Sequence, residues 1–422
     1  MTEVSTVESA KLLDPLIELS RRYGADPDMV LAGGGNTSAK TPAVLWVKAS
    51  GVALGSIDRD GFVPLDRRKL LALTEVDLPA APEQANELQN RHLAEALLVA
   101  DDPRRPSVEC VLHAVFPQTF VVHTHPVLGN MVACCVDGQR IAAELMGDRL
   151  LWLEYVDPGL PLSQAMSRRV SQYQRRHGRP PALVLVQNHG LFVAADGPAD
   201  IDALTEAFLG KVSQRLSEVA EWRGAPPFGE VRSVAEDDAA AMVESLGSAL
   251  KAALSEASGA AVHLCFDDSE AVRQLAGGSR GREVAERGPL MPDQSVYAGS
   301  FAMWLQPPGA DPAAAADAVA DVLGAYRDRH GTWPRIVLVE GLGMFAAGHS
   351  AAESRTAGAV YEQAIRVMGG AERLGGVRAL TEPHRRFIED WEAEAYRKAQ
   401  AQKAGQSEGG PPSYRPRREW PL

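Results

Sequence analysis

Apolar residues recur at helical spacing in several parts of the chain, with short β-branched runs between them. The first such segment ends at Gly24 and predicts an amphipathic helix with apolar positions at Val7, Leu12, Leu13, Leu16 and Ile17. Residues 106–116 predict another helix, which Pro117 ends. From 198 to about 222 the apolar spacing is helical again.

Runs of apolar and β-branched residues between these helices predict strands. They cover 44–47, 119–125 and 183–186, and a further run continues to Ala194. The stretch 31–40 contains three consecutive glycines and is typical of a loop. Strands that alternate with helices indicate an α/β protein.

Composition divides the chain into three parts. The stretch 223–229 is rich in glycine and proline, as linkers are, and indicates a boundary. We therefore expect a first domain at 1–225 and a second, smaller α/β unit at 230–390. Residues 391–422 are expected to form the end of a helix and a flexible tail.

The two units share a sequence pattern. Residues 183–194 align without gaps on 336–347, and Gly190 falls on Gly343. This favours two related α/β units, the alternative being that any strand–turn–strand element looks this way. His189 of the first unit aligns with Leu342, so we expect the second unit to be non-catalytic and to serve packing or subunit contact.

Composition and charge exclude several classes of protein. With 45% hydrophobic and 23% charged residues, the chain has the composition of a soluble globular protein. Its net charge of −12 argues against binding nucleic acid or an anionic membrane. No apolar run approaches the roughly 20 residues of a membrane span, and the N-terminus lacks a signal-peptide pattern. Four cysteines without a CxxC pair favour a reduced, cytoplasmic location.

Three histidines are candidate metal ligands. His123 and His125 are two residues apart in a predicted strand, so their side chains share one face, with Cα atoms about 6.5–7 Å apart. His189 directly follows another predicted strand. If the two strands are neighbours in one sheet, three imidazoles meet at a strand exit, a set that leaves a coordination position open for substrate or water.

Glu109 stands fourteen residues before His123, on the predicted helix of residues 106–116, with His113 one turn later. A carboxylate beside a divalent cation could be a fourth ligand or an acid/base, whereas alone it would be an ordinary surface group. His113 is expected to be structural rather than a ligand. The glycine-rich stretch 33–38 departs from the dinucleotide-binding fingerprint but could expose backbone amides to an oxyanion, the alternative being a tight turn without a ligand.

Several short motifs resemble the class II aldolase/adducin family over about residues 8–225. In chain order they are Gly-Gly-Asn-Thr-Ser at 34–38, Lys-Ala-Ser-Gly at 48–51, Ser-Val-Glu at 107–109, His-Thr-His-Pro at 123–126 and Asn-His-Gly at 188–190. The second half, at 282–293, 339–345 and 364–376, resembles the aldolase portion of bifunctional rhamnulose 1-phosphate aldolase/lactaldehyde dehydrogenases. Because the chain stops at Leu422, we expect the dehydrogenase activity to be absent.

The resemblance implies roles for individual residues. His123, His125 and His189 would bind a divalent ion, usually zinc with manganese or cobalt as alternatives, and Glu109 would be the acid/base. Substrate phosphate would lie near a further set: Gly35, Asn36, Ser50, Gly51 and Ser107. In the family two serines often precede the glutamate, but here Val108 follows Ser107, which puts a phosphorylated substrate in doubt.

The resemblance also implies a fold and an activity. The fold is a three-layer α/β structure with a mainly antiparallel central sheet flanked by helices, assembled as a homo-oligomer, a tetramer or a dimer. The activity would be that of an aldolase, which cleaves or forms a ketose or ketose 1-phosphate through a metal-stabilised enediolate. Alternatives are an epimerase or decarboxylase with the same metal site, or a non-catalytic adducin-like binding module.

Overall fold

The computed structural model describes residues 3–79, 82–223, 226–391 and 414–420. The chain divides into two compact units, Met1–Ala133 with Gly138–Gln214, and Cys134–Asp137 with Arg215–Leu422. Two of the segments discussed above are only partly described. In the expected linker, residues 224 and 225 lie outside the described part. In the C-terminal segment, residues 392–413 and 421–422 lie outside it.

A seven-stranded sheet forms the centre of the first unit. Its strands are β1 (Asn36–Lys40), β2 (Val44–Lys48), β3 (Phe62–Asp66), β4 (Phe120–Thr124), β5 (Leu150–Leu153), β6 (Leu183–Val186) and β7 (Gly190–Ala195). They are ordered β3-β2-β1-β4-β7-β6-β5. Only β5 and β6 pair in parallel, and the other neighbours are antiparallel.

The described residues of the first unit form α-helices before, between and after these strands. These helices are α1 (Glu3–Ala25), α2 (Arg67–Ala72), α3 (Pro82–Ala96), α4 (Cys110–Val115), α5 (Val127–Ala133), α6 (Gly138–Met146), α7 (Leu160–His177) and α8 (Pro198–Arg223).

Helices cover both faces of the sheet. On one face, residues of α4 and α7 such as Leu112 and Met166 share a core with Phe192 of β7. On the other, Ser20 of α1 lies 2.6 Å from the hydroxyl of Thr37 in β1. Side chains alternate along a strand, so the neighbours of Thr37 face α4. The predicted three-layer α/β fold with a mainly antiparallel sheet is therefore confirmed.

Most element predictions are confirmed, with two corrections. The apolar run 183–186 and the run after it form β6 and β7, and 119–125 contains β4. The stretch 31–40 is only partly a loop, because 36–40 forms β1 between β2 and β4. The predicted helix 106–116 begins only at Cys110, since Pro106 makes an isolated β-bridge with Ala49.

The second unit contains a five-stranded sheet in the order β12-β8-β11-β10-β9. Its strands are β8 (His263–Asp267), β9 (Met303–Leu305), β10 (Ile336–Val339), β11 (Gly343–Gly348) and β12 (Arg418–Trp420). Its helices are α9 (Glu236–Ser258), α10 (Glu270–Gly277), α11 (Gly281–Ala285), α12 (Pro312–His330), α13 (Ala351–Leu374) and α14 (Glu382–Asp390). Residues of α9 and α12 share a core with the sheet and with Trp420.

The sheet of the second unit has the pairing pattern of the first. Val186 pairs with Gly190 in β6–β7, and Val339 pairs with Gly343 in β10–β11. In both units the first strand of this hairpin has a parallel neighbour and the second has an antiparallel one. The common register supports the interpretation of the two units as related. No described helix is both long and apolar enough to span a bilayer.

Candidate metal centre

His123 lies in strand β4, and His125 directly follows the end of that strand. His123 is paired with Phe192 of β7, and the two rings stack with centroids 3.9 Å apart. Nδ1 of His123 lies 3.1 Å from the carbonyl oxygen of Leu191. A carbonyl can only accept, so Nδ1 donates and the lone pair of the neutral ring is on Nε2, the arrangement typical of a metal-ligating histidine. His125 follows the strand by one residue and lies on the same side.

The turn between β6 and β7 presents the third histidine. Asn188 has a left-handed backbone with φ 52°, a conformation that asparagine tolerates better than most residues. Its N–H donates to the carbonyl of Ala133. His189 comes next, and its N–H bonds to the carbonyl of Val186. Because β7 pairs with β4, this turn lies at the same sheet edge as His125.

The three imidazoles converge as the sequence predicts. One ring nitrogen of each lies within 4.8 Å of the others, and all three residues are buried. Nε2 of His123 and Nε2 of His125 are 3.1 Å apart. Two nitrogens on one tetrahedral zinc, each about 2.0–2.1 Å away, would be separated by roughly 3.4 Å. The spacing therefore fits a single cation.

Gly190 makes this convergence possible. A Cβ at this position would lie 2.6 Å from Cδ2 of His125, 2.6 Å from the carbonyl oxygen of Thr124 and 3.0 Å from Cε1 of His123. Two imidazoles thus occupy the space that any other residue would fill. In the sequence, Gly190 aligns with Gly343 and ends the Asn-His-Gly motif, but neither feature predicts its packing against the imidazoles.

Glu109 lies against two of the imidazoles. Its Oε1 is 3.1 Å from Nε2 of His189, and its Oε2 is 3.5 Å from Nε2 of His123. Burial would raise the pKa of Glu109, but the contact with His189 and the hydrogen bond from Asn36 hold the pKa well below its usual value. The group is therefore a buried carboxylate. It precedes α4 rather than lying within it, which corrects the sequence prediction.

A chain of hydrogen bonds links Glu109 to Asn36, His113 and Ser38. Nδ2 of Asn36 donates to Oε2 of Glu109 at 2.5 Å, and Oδ1 of Asn36 contacts Nε2 of His113. Nδ1 of His113 is 2.7 Å from the hydroxyl of Ser38. Burial lowers the pKa of His113 to about 3, and the charge of Lys40 contributes.

The neutral His113 fixes the direction of this chain. Because Oδ1 of Asn36 can only accept, Nε2 of His113 carries the proton, and Nδ1 accepts from Ser38. Every member therefore donates toward Glu109. The sequence predicted a structural role for His113, but it did not predict that Ser38 takes part. The alternation of Asn36, Ser38 and Lys40 would have revealed it once 36–40 was recognised as a strand.

The donor set fits a divalent cation. Burial lowers the pKa of His123 well below its usual value, which favours the neutral imidazole that metal binding requires. Oε1 of Glu109 and Nδ1 of His189 are buried and have no aligned hydrogen-bond partner in the described part of the chain. Buried polar atoms without a partner beside three imidazoles are consistent with a site that takes a further ligand.

Of the residues expected to bind phosphate, Asn36 lies in β1 and the other four lie in loops. Gly35 has φ 65°, and a Cβ there would lie 2.9 Å from the carbonyl oxygen of His123. The N–H groups of Ser50 and Ser107 already donate to the carbonyls of Arg105 and Lys48. The hydroxyl oxygen of Ser107 also accepts from the N–H of Glu109 at 3.3 Å, so the hydroxyl of Ser50 and the hydroxyl proton of Ser107 are the groups left for a substrate. Gly51 follows with φ 85°.

Comparisons with protein families agree with the geometry. Residues 14–209 match the class II aldolase and adducin N-terminal domain. Residues 329–397 match the aldolase class II second domain. The first match includes all the candidate metal and carboxylate residues described above.

Individual proteins are similar at lower identity. The uncharacterized oxidoreductase YuxG of Bacillus subtilis (strain 168) is 26% identical over 413 residues, 92% of this chain. The chain spans 58% of the length of that relative. The N-terminal class II aldolase domain of a conserved protein from Thermoplasma acidophilum is 26% identical, with a TM-score of 0.41 over 48% of this chain and 93% of that one. L-fuculose-1-phosphate aldolase from Thermus thermophilus is 19% identical, with a TM-score of 0.32 over 51% of this chain and 97% of that one.

Proposed function

We propose that the chain, whose residues 14–209 match the class II aldolase and adducin N-terminal domain and whose residues 329–397 match the aldolase class II second domain, is a metal-dependent carbon–carbon lyase. The proposed reaction cleaves or forms a ketose or ketose 1-phosphate. The observation that carries the proposal is the convergence of His123, His125 and His189 beside the buried carboxylate of Glu109.

The three histidines would hold a divalent cation, with zinc as our proposal. When bound, such an ion supplies Lewis-acid stabilisation of the negative charge that develops on a ketose oxygen as the carbon–carbon bond breaks. A binding module would not require buried imidazoles at ligand spacing. Their presence supports catalysis over an adducin-like role.

Glu109 is proposed to move the proton. A general base must be ionised and within hydrogen-bond reach of the proton it removes. The low pKa of Glu109 provides the ionised form, and the amide of Asn36 holds one carboxylate oxygen. The other oxygen, Oε1, is the one without an aligned partner among described residues. We propose that Oε1 exchanges the proton with a substrate carbon.

Ser50, Ser107 and Val108 affect whether the proposed substrate carries a phosphate. Ser50 and Ser107 offer hydroxyls, because their backbone amides are occupied, and Val108 stands where relatives often carry a second serine. Fewer donors therefore remain for a phosphate than the motif alone suggests. We propose a ketose as the common element of the substrate, with the resemblance to rhamnulose 1-phosphate aldolases favouring a deoxyketose.

Metal analysis combined with a product screen tests the proposal. The purified full chain is expected to contain about one divalent ion per chain and to release an aldehyde and a three-carbon ketone from a ketose. The screen should use each ketose with and without its 1-phosphate. An epimer or carbon dioxide as product would instead favour the epimerase or decarboxylase alternative. A metal-free, inert protein would contradict the proposal.

A further inference from the structure

The second unit contains a large cavity that the proposed chemistry does not use. Its volume is about 700 Å³, within the range of small-molecule sites. The walls come from the segment 295–301, the C-terminal end of α12, the residues leading into β10, and helix α14. All of these belong to one compact unit.

Arginine dominates the charged lining. The described lining residues include four arginines and a single carboxylate, that of Glu389. The arginines are Arg329, Arg335, Arg385 and Arg386. Both oxygens of Glu389 are already occupied. Oε1 accepts from the hydroxyl of Ser300 and Oε2 from Arg385, each at 2.5 Å. This carboxylate therefore satisfies one guanidinium and leaves the other three without a hydrogen-bonded partner from the lining.

Those three guanidinium groups retain hydrogen-bonding capacity. Arg329 is exposed and has no ion-pair partner among the described residues. Arg335 approaches Glu353 at only 3.8 Å, which is beyond hydrogen-bond length. Arg386 pairs with Glu382 one turn earlier on α14, where both side chains are largely exposed and such a pair contributes little.

Aromatic packing holds the walls in place. The ring of His330 lies between Phe301 and Tyr326, with centroids 4.5 and 4.6 Å away. The hydroxyl of Tyr326 donates to the carbonyl of Phe301 at 3.0 Å. The guanidinium of Arg385 lies 5.2 Å from the ring centroid of Phe301. These contacts preorganise the cavity, which reduces the entropy lost on binding.

We propose that this cavity binds a small organic oxyanion with at least two negative charges, such as a phosphate monoester. Planar guanidinium groups form paired hydrogen bonds with phosphate and carboxylate oxygens. A multiply charged ligand would add hydrogen-bonded partners for Arg329, Arg335 and Arg386. A neutral sugar would offer no charge to Arg329, which has no ion pair among the described residues, or to Arg335, whose pair with Glu353 is long.

Arginine modification of the full-length protein tests this inference at single residues. Phenylglyoxal reacts with exposed guanidinium groups, and peptide mass spectrometry measures the rate at each one. The probes are glycerol 3-phosphate, citrate as a polycarboxylate, and glycerol as the neutral control, all at low ionic strength. Glycerol 3-phosphate is expected to slow modification of Arg329 and Arg386 several-fold, and glycerol to have no effect. A similar effect of citrate would extend the ligand class to polycarboxylates.

Arg327 provides the matched control. It is exposed on the same helix, two residues from Arg329, and does not line the cavity. Its modification rate should not change. In the double variant Arg329→Gln/Arg386→Gln, the concentration of glycerol 3-phosphate that protects Arg385 should rise about tenfold or more, which corresponds to 1.4 kcal/mol. In Arg327→Gln it should not change. Unchanged rates at Arg329 and Arg386 with both anions, or equal slowing at Arg327, would overturn the inference.

Discussion

Nδ2 of Asn36 lies 2.5 Å from Oε2 of Glu109 and donates a hydrogen bond to it. The antiparallel pairing of β1 with β4 produces this contact, because it places Asn36 opposite His123. A residue expected on the phosphate side of the substrate thus also holds the candidate acid/base. The carboxylate and His123, one of the three candidate ligands, are therefore positioned by the same pair of strands.

Replacing the carboxylate should separate catalysis from metal binding. In Glu109→Gln the three imidazoles remain, so metal content should stay near that of the wild type. Turnover should fall by about 10²–10⁴-fold, the usual contribution of a general acid or base. Metal analysis and initial rates on one preparation measure both. Glu154→Gln, an exposed carboxylate in the same unit, should leave both unchanged. Loss of metal from the Glu109 variant would identify Glu109 as a ligand instead.

Unlike Glu109→Gln, removal of a candidate ligand histidine should lower metal content as well as turnover. His123→Ala and His189→Ala each leave two imidazoles, so we expect both metal content and turnover to fall. Inductively coupled plasma analysis after dialysis measures the first. His177→Ala removes a histidine outside the cluster and serves as the control. Full metal occupancy in the His189 variant would show that the ion is held elsewhere.

The sequence predicted the parts of this site that follow from apolar patterning. The runs that form β4, β6 and β7 are rich in Val and Leu, so the sequence predicts these strands. It therefore also predicts that the histidines lie at or just beyond the ends of strands. The polar stretch Asn36–Lys40 has no such pattern, because its strand is stabilised by neighbours on both sides. The contacts Asn36–Glu109 and Ser38–His113 depend on that strand and its register. Neither is visible from local sequence.

Gly190→Ala should disrupt the centre through packing alone. Gly190 has no positive φ, so alanine is compatible with the backbone, but its Cβ would meet His125 and Thr124 at 2.6 Å. Overpacking of this kind costs typically about 1–3 kcal/mol. We expect lower metal affinity together with a lower free energy of unfolding, measured by metal competition and urea titration.

Gly210→Ala is the matched control for that substitution. Gly210 lies inside α8, and a Cβ there would meet nothing within 4 Å. Alanine should therefore stabilise the helix by about 0.5–1 kcal/mol without affecting metal. If Gly190→Ala bound metal as tightly as Gly210→Ala, the close packing of the imidazoles would not matter for the ion.

The buried His113 should make stability depend on pH. Its pKa is lowered from 6.5 to about 3 in the folded protein. Between these values the unfolded chain binds a proton that the folded chain does not, so stability falls as the pH decreases. The slope from this residue reaches about 1.4 kcal/mol per pH unit. His113→Gln removes the contribution, so the wild type should lose stability relative to the variant on acidification.

Urea titrations at pH 7, 6 and 5 measure this difference. The other ionisable groups of the site are present in both proteins, so the comparison of wild type with variant isolates His113. At pH 7 the variant should be less stable, because Ser38 and Asn36 lose the ring that bonds to both. Its deficit should shrink at pH 5. His177→Gln, where the ring is not part of this chain, should track the wild type. Parallel curves for His113→Gln and the wild type would mean that His113 takes up a proton as readily in the folded protein as in the unfolded chain. The ring would then not be held neutral, and the direction assigned to the hydrogen bonds toward Glu109 would be wrong.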